Sequence, residues 1–198
     1  MLRVTGPEAD DLAVVVAALR RGAVVGIPTD TVYGLAADPL CREAVTLLFA
    51  LKGRPAVKPI PLLAASVEQA ETVGVLAGPA RRAAERHWPG ALTLVVRRVP
   101  GLPDWVGDPA RDSVGIRVPD HPAALSLLAE AGPLAVTSAN RSGGAAAADE
   151  AGARQIFAGG VAAYLPGAGG GGAPSTVVDL TGRAPRVLRA GPVAWEGG

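Results

Sequence analysis

Helix-patterned segments alternate with short apolar runs along nearly the whole chain, and that alternation admits few folds. LAVVVAALRR follows Glu8, Asp10 and Asp11, ends in Arg20 and Arg21 and is stopped by Gly22, the charge polarity and glycine stop of a helix. AVVGI (23–27) reads as a strand, PTDTVYGLAADPL as a loop, and CREAVTLLFALKGR as a helix stopped by Gly53. PIPLLAA is a strand, and Ser66 with Gln69 forms a capping box that opens a helix to about Val75. GPARRAAERHW is a helix ended by Pro89 and Gly90, ALTLVVRRV and SVGIRVP are strands, HPAALSLLAEAG is a helix, and PLAVTSAN is a strand running into a loop. Asp149 caps a short helix to Phe157, and VAAYL, STVVDL and PRVLR complete the strands. The class is α/β, with a mixed rather than purely parallel sheet because the last third is rich in strands.

The chain has 198 residues, 49% of them hydrophobic and 19% charged, enough for one sizeable core, and it reads as a single domain over 1–198. Nineteen basic side chains against eighteen acidic ones leave a formal charge of +1, so any phosphate binding must come from local clusters. The lone cysteine, Cys41, excludes an intramolecular disulfide and a cysteine zinc cage. His87 and His121 stand far apart in sequence and offer no catalytic zinc or iron set, so no metal ligands are assigned. With no Ser-His-Asp or Cys-His arrangement either, the chemistry falls to arginine, lysine and hydroxyl groups. MLRVTGPEADD places acids where a secretory signal needs an apolar stretch, and no apolar run approaches the roughly 18 residues of a membrane span. The expectation is a soluble, cytoplasmic protein without membrane contact.

Seventeen of the basic residues are arginines, and the two lysines, Lys52 and Lys58, both fall in LKGRPAVK. With Arg54 they form a three-cation cluster at a helix end, suited to a polyphosphate or to a solvated face. Thr29, Asp30 and Thr31 follow a strand end, where α/β sheets place ligands, although the same residues also suit a turn. Arg117 stands inside an apolar strand, and a buried unpaired charge costs on the order of several kcal/mol. Either an internal acid, Asp30 or Asp179, pairs it, or a ligand carboxylate does. Thr137, Ser138 and Asn140 lie just past a strand and can hold a purine or a phosphate. Ser175 and Thr176 open a strand after GAGGGGAP (167–174), and Arg189 ends another. The glycine run lacks the Gly-Lys-Ser/Thr ending of a phosphate loop and reads as a flexible connector or, alternatively, as a lid over a ligand. SGGAAAADEAG reads as a second mobile loop beside a cleft.

PTDTVYGL, KGRP, WPGALTLV, VGIRVPDHP, SAN, PSTVVD and VLRAGP occur in an order and at spacings that resemble the YrdC-like family of threonylcarbamoyl-AMP synthases, over about residues 10–192. The resemblance implies an open, twisted mixed sheet with flanking helices lining a deep, locally positive cleft, in the short form without the additional C-terminal domain of longer members. It also implies a nucleotidyltransferase reaction in which L-threonine, bicarbonate and ATP give threonylcarbamoyl-adenylate and pyrophosphate. Mg2+ would accompany the ATP, held mainly by water and phosphate oxygens. The product is the activated intermediate for threonylcarbamoyladenosine in tRNA, so downstream tRNA threonylcarbamoyl-transfer proteins are implied partners.

Residue by residue, the resemblance implies that Thr31, Arg117 and Ser175 hold threonine, with Val136 lining the pocket through its backbone. Arg54, Lys58, Ser113, Ser138 and Arg189 would hold the nucleotide, with Lys52 and Asn140 beside them, and Lys52, Arg54 and Arg117 would be the catalytic cations. Where many relatives have a histidine in the strand after KGRP, this chain has Leu62, Leu63 and Ala64. Two alternatives stay open at this level. One is a double-stranded RNA-binding or ribosome-maturation module of the same fold, touching tRNA or other RNA through its cleft. The other is a paralogue that adenylates a different carbamoyl acceptor.

Overall fold

Asp10 and Asp11 in the first turn of α1 (Ala9–Arg20), and Arg20 in its last, oppose the partial charges of the helix ends. The helix packs Val15, Val16 and Leu19 against Leu127 and Leu128 of α5 (Pro122–Ala131) and onto one face of a mixed sheet. Coordinates come from a computed structural model, which describes residues 9–53 and 59–196. The strands are β1 (Val25–Ile27), β2 (Gly34–Ala37), β3 (Leu62–Leu63), β4 (Leu92–Arg97), β5 (Ser113–Arg117), β6 (Leu134–Ser138), β7 (Ala163–Tyr164), β8 (Thr176–Asp179) and β9 (Arg186–Arg189). Their order across the sheet is β7-β1-β2-β6-β3-β5-β4-β8-β9. The pairs β1 with β7, β3 with β5 and β4 with β8 are parallel and the others antiparallel, so the sheet is mixed, as the strand-rich tail predicts.

The sequence patterns place the elements well, with two corrections. Gly34–Ala37 falls in the segment read as a loop, yet it is a central strand paired with β1 and β6. Its four residues are buried on both faces, so the run has no alternation to reveal it, and Pro28, Thr29, Asp30 and Thr31 ahead of it carry turn signals. The helix opened by Ser66 is the second. Ser66 Oγ accepts from the Gln69 amide as a cap should, but α3 (Val67–Glu71) stops well before Val75. The backbone there is captured by the end of β4, with Val75 N–H donating to the Arg97 carbonyl and Gly74 bridging Arg98.

The second face of the sheet carries Leu35, Leu62, Leu94, Ile116 and Val178, packed under α2 (Arg42–Lys52) and α4 (Pro79–His87). Burying each such aliphatic side chain stabilises the fold by about 1.5–3 kcal/mol. Asp149 caps α6 (Glu150–Ile156) by accepting from the Gly152 amide. On the α1/α5 face the apolar cover reaches only as far as β3 and β6, where Leu63, Leu134 and Val136 join it. Beyond them that face bears Ser113, Gly115 and Arg117 of β5, Thr93 and Val95 of β4 and Val177 and Asp179 of β8, and no helix among the described residues covers it. No helix among the described residues is long and apolar enough to cross a membrane.

Candidate active site

Strand parity decides what the uncovered face displays. Val114 and Ile116 of β5 point into the second core, so Ser113, Gly115 and Arg117 point the other way. Register sets Val95 of β4 beside Gly115 and Asp179 of β8 beside Val95, and Thr93, Ser175 and Val177 share their side. Together with the Thr29–Val32 turn and the end of β6 these residues line a cleft of about 780 Å³. Gly115 is its floor: a bare Cα there leaves open the space that a side chain would occupy.

Arg117 is 5% exposed and stands at the wall of the cleft. Its Nε donates to the Gly90 carbonyl at 2.8 Å, Nη1 to Thr31 Oγ1 at 3.1 Å, and Nη2 to Asp30 Oδ1 at 2.5 Å. Of the two sequence alternatives, the structure shows the internal acid. An internal acid, Asp30, neutralises the guanidinium, while the same group stays in the cleft wall with two of its five N–H bonds not used by the fold. Burial lowers the Arg117 pKa, and the charge and hydrogen bond of Asp30 offset this only in part. Asp179, the other acid considered, is paired instead with Arg186 and Thr181.

Across the floor, Ser175 Oγ shares a 2.8 Å hydrogen bond with Thr93 Oγ1 and accepts from Arg189 Nη2 at 3.0 Å. Arg189 Nε also donates to the Ser175 carbonyl, and no carboxylate among the described residues pairs with this arginine. Burial lowers its pKa, and the positive charge of Arg117 lowers it further. Two guanidinium groups thus repel one another across one cleft, a field that an anion between them would relieve.

The end of β6 forms a third wall. Ser138 and Asn140 line the cleft, and Ser138 Oγ donates to Asn140 Oδ1 at 2.6 Å. Lys52 closes α2 from behind them: its Nζ donates to the Ser138 carbonyl at 2.7 Å and to Asn140 Oδ1 at 2.5 Å. This lysine is only 4% exposed, so it is not part of a displayed cation face but holds the loop that lines the cleft. Gly53 in the left-handed conformation, φ 58°, ends the helix immediately after it. Arg54 and Lys58, the other two cations of the cluster, lie outside the described residues.

The structure brings Thr31, Ser113, Arg117, Val136, Ser138, Asn140, Ser175 and Arg189 to one cleft, with Lys52 behind it. Val136 donates its N–H to the Pro61 carbonyl, so that group is spent within the fold. Leu63 sits in register beside Arg117 and gives that end of the cleft an apolar wall. Sequence reading missed Thr93 and Gly115. Thr93 is the one hydroxyl in ALTLVV, and its parity with Val95 could have found it; nothing local marked Gly115 as a floor.

The glycine run also differs from its reading as a connector or lid. Residues 168–172 do not line the cleft, whereas Gly144 and Ala146 of the SGGAAAADEAG segment do. The run lies behind the Thr29–Val32 turn and is bonded to it: Gly170 N–H donates to the Thr29 carbonyl at 2.9 Å and Gly172 N–H to that of Thr31 at 3.2 Å.

An open α/β sheet with the guanidinium groups of Arg117 and Arg189 and the hydroxyls of Thr31, Thr93, Ser113, Ser138 and Ser175 around one cleft defines a class of site suited to small anionic molecules. The chain belongs to the Sua5/YciO/YrdC family, whose model, described as "Telomere recombination", matches residues 17–191. A Mycobacterium leprae protein whose threonylcarbamoyl-AMP synthase name is provisional is 46% identical over 185 residues, covering 92% of this chain and 84% of its own length. The Bacillus subtilis threonylcarbamoyl-AMP synthase is 37% identical over 194 residues, covering 93% of this chain and 54% of its own. Among solved structures, Pyrococcus abyssi Sua5 complexed with L-threonine superposes with a TM-score of 0.84 at 35% identity, covering 91% of this chain and 54% of that one. The chain thus spans about half the length of the Bacillus and Pyrococcus proteins.

Proposed function

We propose that this chain is a threonylcarbamoyl-AMP synthase, a nucleotidyltransferase that joins L-threonine, bicarbonate and ATP. The observation that carries the reading is Arg117: a buried guanidinium, oriented by Asp30, Thr31 and Gly90, that keeps two N–H bonds for a ligand in the cleft wall. A planar fork of that kind suits the carboxylate of an amino acid. Thr31 adds a hydroxyl beside Arg117, Ser175 adds one across the floor, and Leu63 and Val136 add apolar surface.

In this reading the threonine amine and bicarbonate combine to a carbamate with loss of water. A carbamate oxygen then attacks the α-phosphorus of ATP, and pyrophosphate leaves with the P–O bond electrons. Arg189, which no carboxylate among the described residues pairs, and Arg117 offset the gathered negative charge, while Ser138, Asn140 and Ser113 supply further contacts to the nucleotide. Arg54 and Lys58 are assigned to the nucleotide by their motif. Magnesium enters with ATP as part of the substrate and neutralises phosphate charge. Alignment of three reactants supplies much of the acceleration, since effective concentrations in such sites lower barriers by about 7–11 kcal/mol. The product serves a reaction that transfers the threonylcarbamoyl group to tRNA, in the cytoplasm where its substrates are found.

Pyrophosphate release from magnesium ATP tests the assignment. Release should require threonine and bicarbonate together and fall when serine or valine replaces threonine. Release indifferent to the amino acid would point to another acceptor. RNA binding with a steep salt dependence, and no turnover with threonine, would overturn the enzyme reading.

A further inference from the structure

The turn that carries Asp30 and Thr31 orients Arg117, and it is held from within by the Thr29 hydroxyl and from behind by the glycine run. Gly170 and Gly172 donate to the Thr29 and Thr31 carbonyls, and Gly169 N–H donates to the Ala148 carbonyl at 2.7 Å, tying the far side of the run to the segment before α6. The approach is closer than any side chain permits. A Cβ on Gly170 would fall onto the Asp30 carbonyl oxygen, and one on Gly169 would lie 2.5 Å from the Val32 carbonyl carbon and against the Tyr33 nitrogen. These neighbours are backbone atoms of the turn, so they cannot swing aside as a side chain would. Gly172 differs: a Cβ there meets nothing within 4 Å.

We propose that Gly169 and Gly170 are positioning residues for the amino-acid end of the cleft. Their bare Cα atoms let the run lie in backbone contact with the Thr29–Tyr33 segment, which holds Asp30 and Thr31 where they aim the Arg117 guanidinium. The run is then a buttress behind the substrate turn and not a lid over the cleft. This role rests on the threonine reading above. It deepens that reading by naming what fixes the carboxylate clamp from outside the cleft, and it separates the two ends of the site, since no hydrogen bond among the described residues joins residues 168–172 to Ser138, Asn140 or Arg189.

The test uses the full chain and pyrophosphate release with threonine, bicarbonate and magnesium ATP. Gly170→Ala should raise the threonine KM at least tenfold while the ATP KM stays within about twofold. Gly169→Ala should act in the same sense. Gly172→Ala, which keeps its N–H and adds a methyl group in open space, should stay within about twofold of the parent for both substrates. A structural defect without positioning would instead lower the active fraction and leave both KM values alone. Amide hydrogen exchange on the unmodified protein gives a second measurement that does not depend on a variant folding: the Gly170 and Gly172 amides should be protected at least a hundredfold. An unchanged threonine KM in a folded Gly170→Ala, or exchange of both amides at the rate of a free chain, overturns the proposal. Absence of threonine-dependent release in the parent protein overturns the functional reading as well, so the two failures are told apart.

Discussion

Arg117 and Asp30 form an ion pair whose side chains are 6% and 15% exposed, whereas every other ion pair among the described residues has a side chain more than a third exposed. Exposed pairs contribute little, but a buried cation that loses its counter-charge is costly. Asp30→Asn keeps an acceptor for Nη2 and removes only the charge. The variant should lose about 2–3 kcal/mol of stability, below the 3–5 expected for deleting a partner outright. Threonine should then raise its melting temperature by more than it raises that of the parent, because a ligand carboxylate supplies the missing charge. Thermal denaturation with and without threonine checks both effects, and a threonine shift smaller than the parent's would count against Arg117 as the carboxylate site.

Gly115 permits a cleaner separation of stability from function. It lies in a strand, without the positive φ that would demand glycine, and a Cβ there meets Thr93 Cγ2 at 3.4 Å and Pro61 at 3.5 Å, ordinary contact distances. Valine suits a strand better than glycine by roughly 0.5–1 kcal/mol of conformational freedom. Gly115→Val should therefore melt no lower than the parent, yet its side chain rises from the floor into the space the substrates need. Turnover should fall at least a hundredfold. Full activity in a folded Gly115→Val would place the chemistry elsewhere.

Lys52 illustrates a role that acts through other residues. Its ammonium bonds the Ser138 carbonyl, Ser138 Oγ and Asn140 Oδ1, and so pins the loop that forms one cleft wall. Lys52→Met fills similar volume and removes the donors. Charge-assisted bonds of this kind are each worth about 1.5–3 kcal/mol. The variant should unfold at lower urea and bind ATP at least tenfold more weakly, the two losses appearing together. Weakened ATP binding at unchanged stability would mean that the ammonium meets the phosphates directly.

Most of the fold was legible because local signals agreed with the tertiary outcome. The stop at Gly53, the caps at Ser66 and Asp149, and the apolar runs of β4, β5 and β6 each carry their own physical reason in a few residues. β2 was hidden because burial on both faces erased its alternation, and α3 was overextended because its end is set by hydrogen bonds to β4, far away in sequence. The site followed the same division. Arg117 stood out as a charge in an apolar strand, and its need for a partner pointed to an internal acid or a ligand carboxylate; of the two acids named, Asp30 is the one used. Lys52 as a buried brace, Gly115 as a floor and the glycine run as a buttress depend on which strands become neighbours, and no single segment records that.

His121 gives the structure a dependence on pH. Its ring is packed where α5 begins, near Asp30, Asp120 and the Ala168 carbonyl, and its Nδ1 is buried without a partner. Burial lowers its pKa below the usual value of 6.5, with the two aspartates and the carbonyl only partly offsetting this. The unfolded chain then binds more protons than the fold as pH drops below about 6.5, so stability rises with pH across that window and is lost on acidification. Above it the histidine is neutral in both states and contributes no slope. His121→Gln removes the titration, so its melting temperature should fall less steeply than the parent's between pH 7.5 and pH 5. Parallel curves, or a steeper fall in the variant, would show that His121 does not set the acid limb.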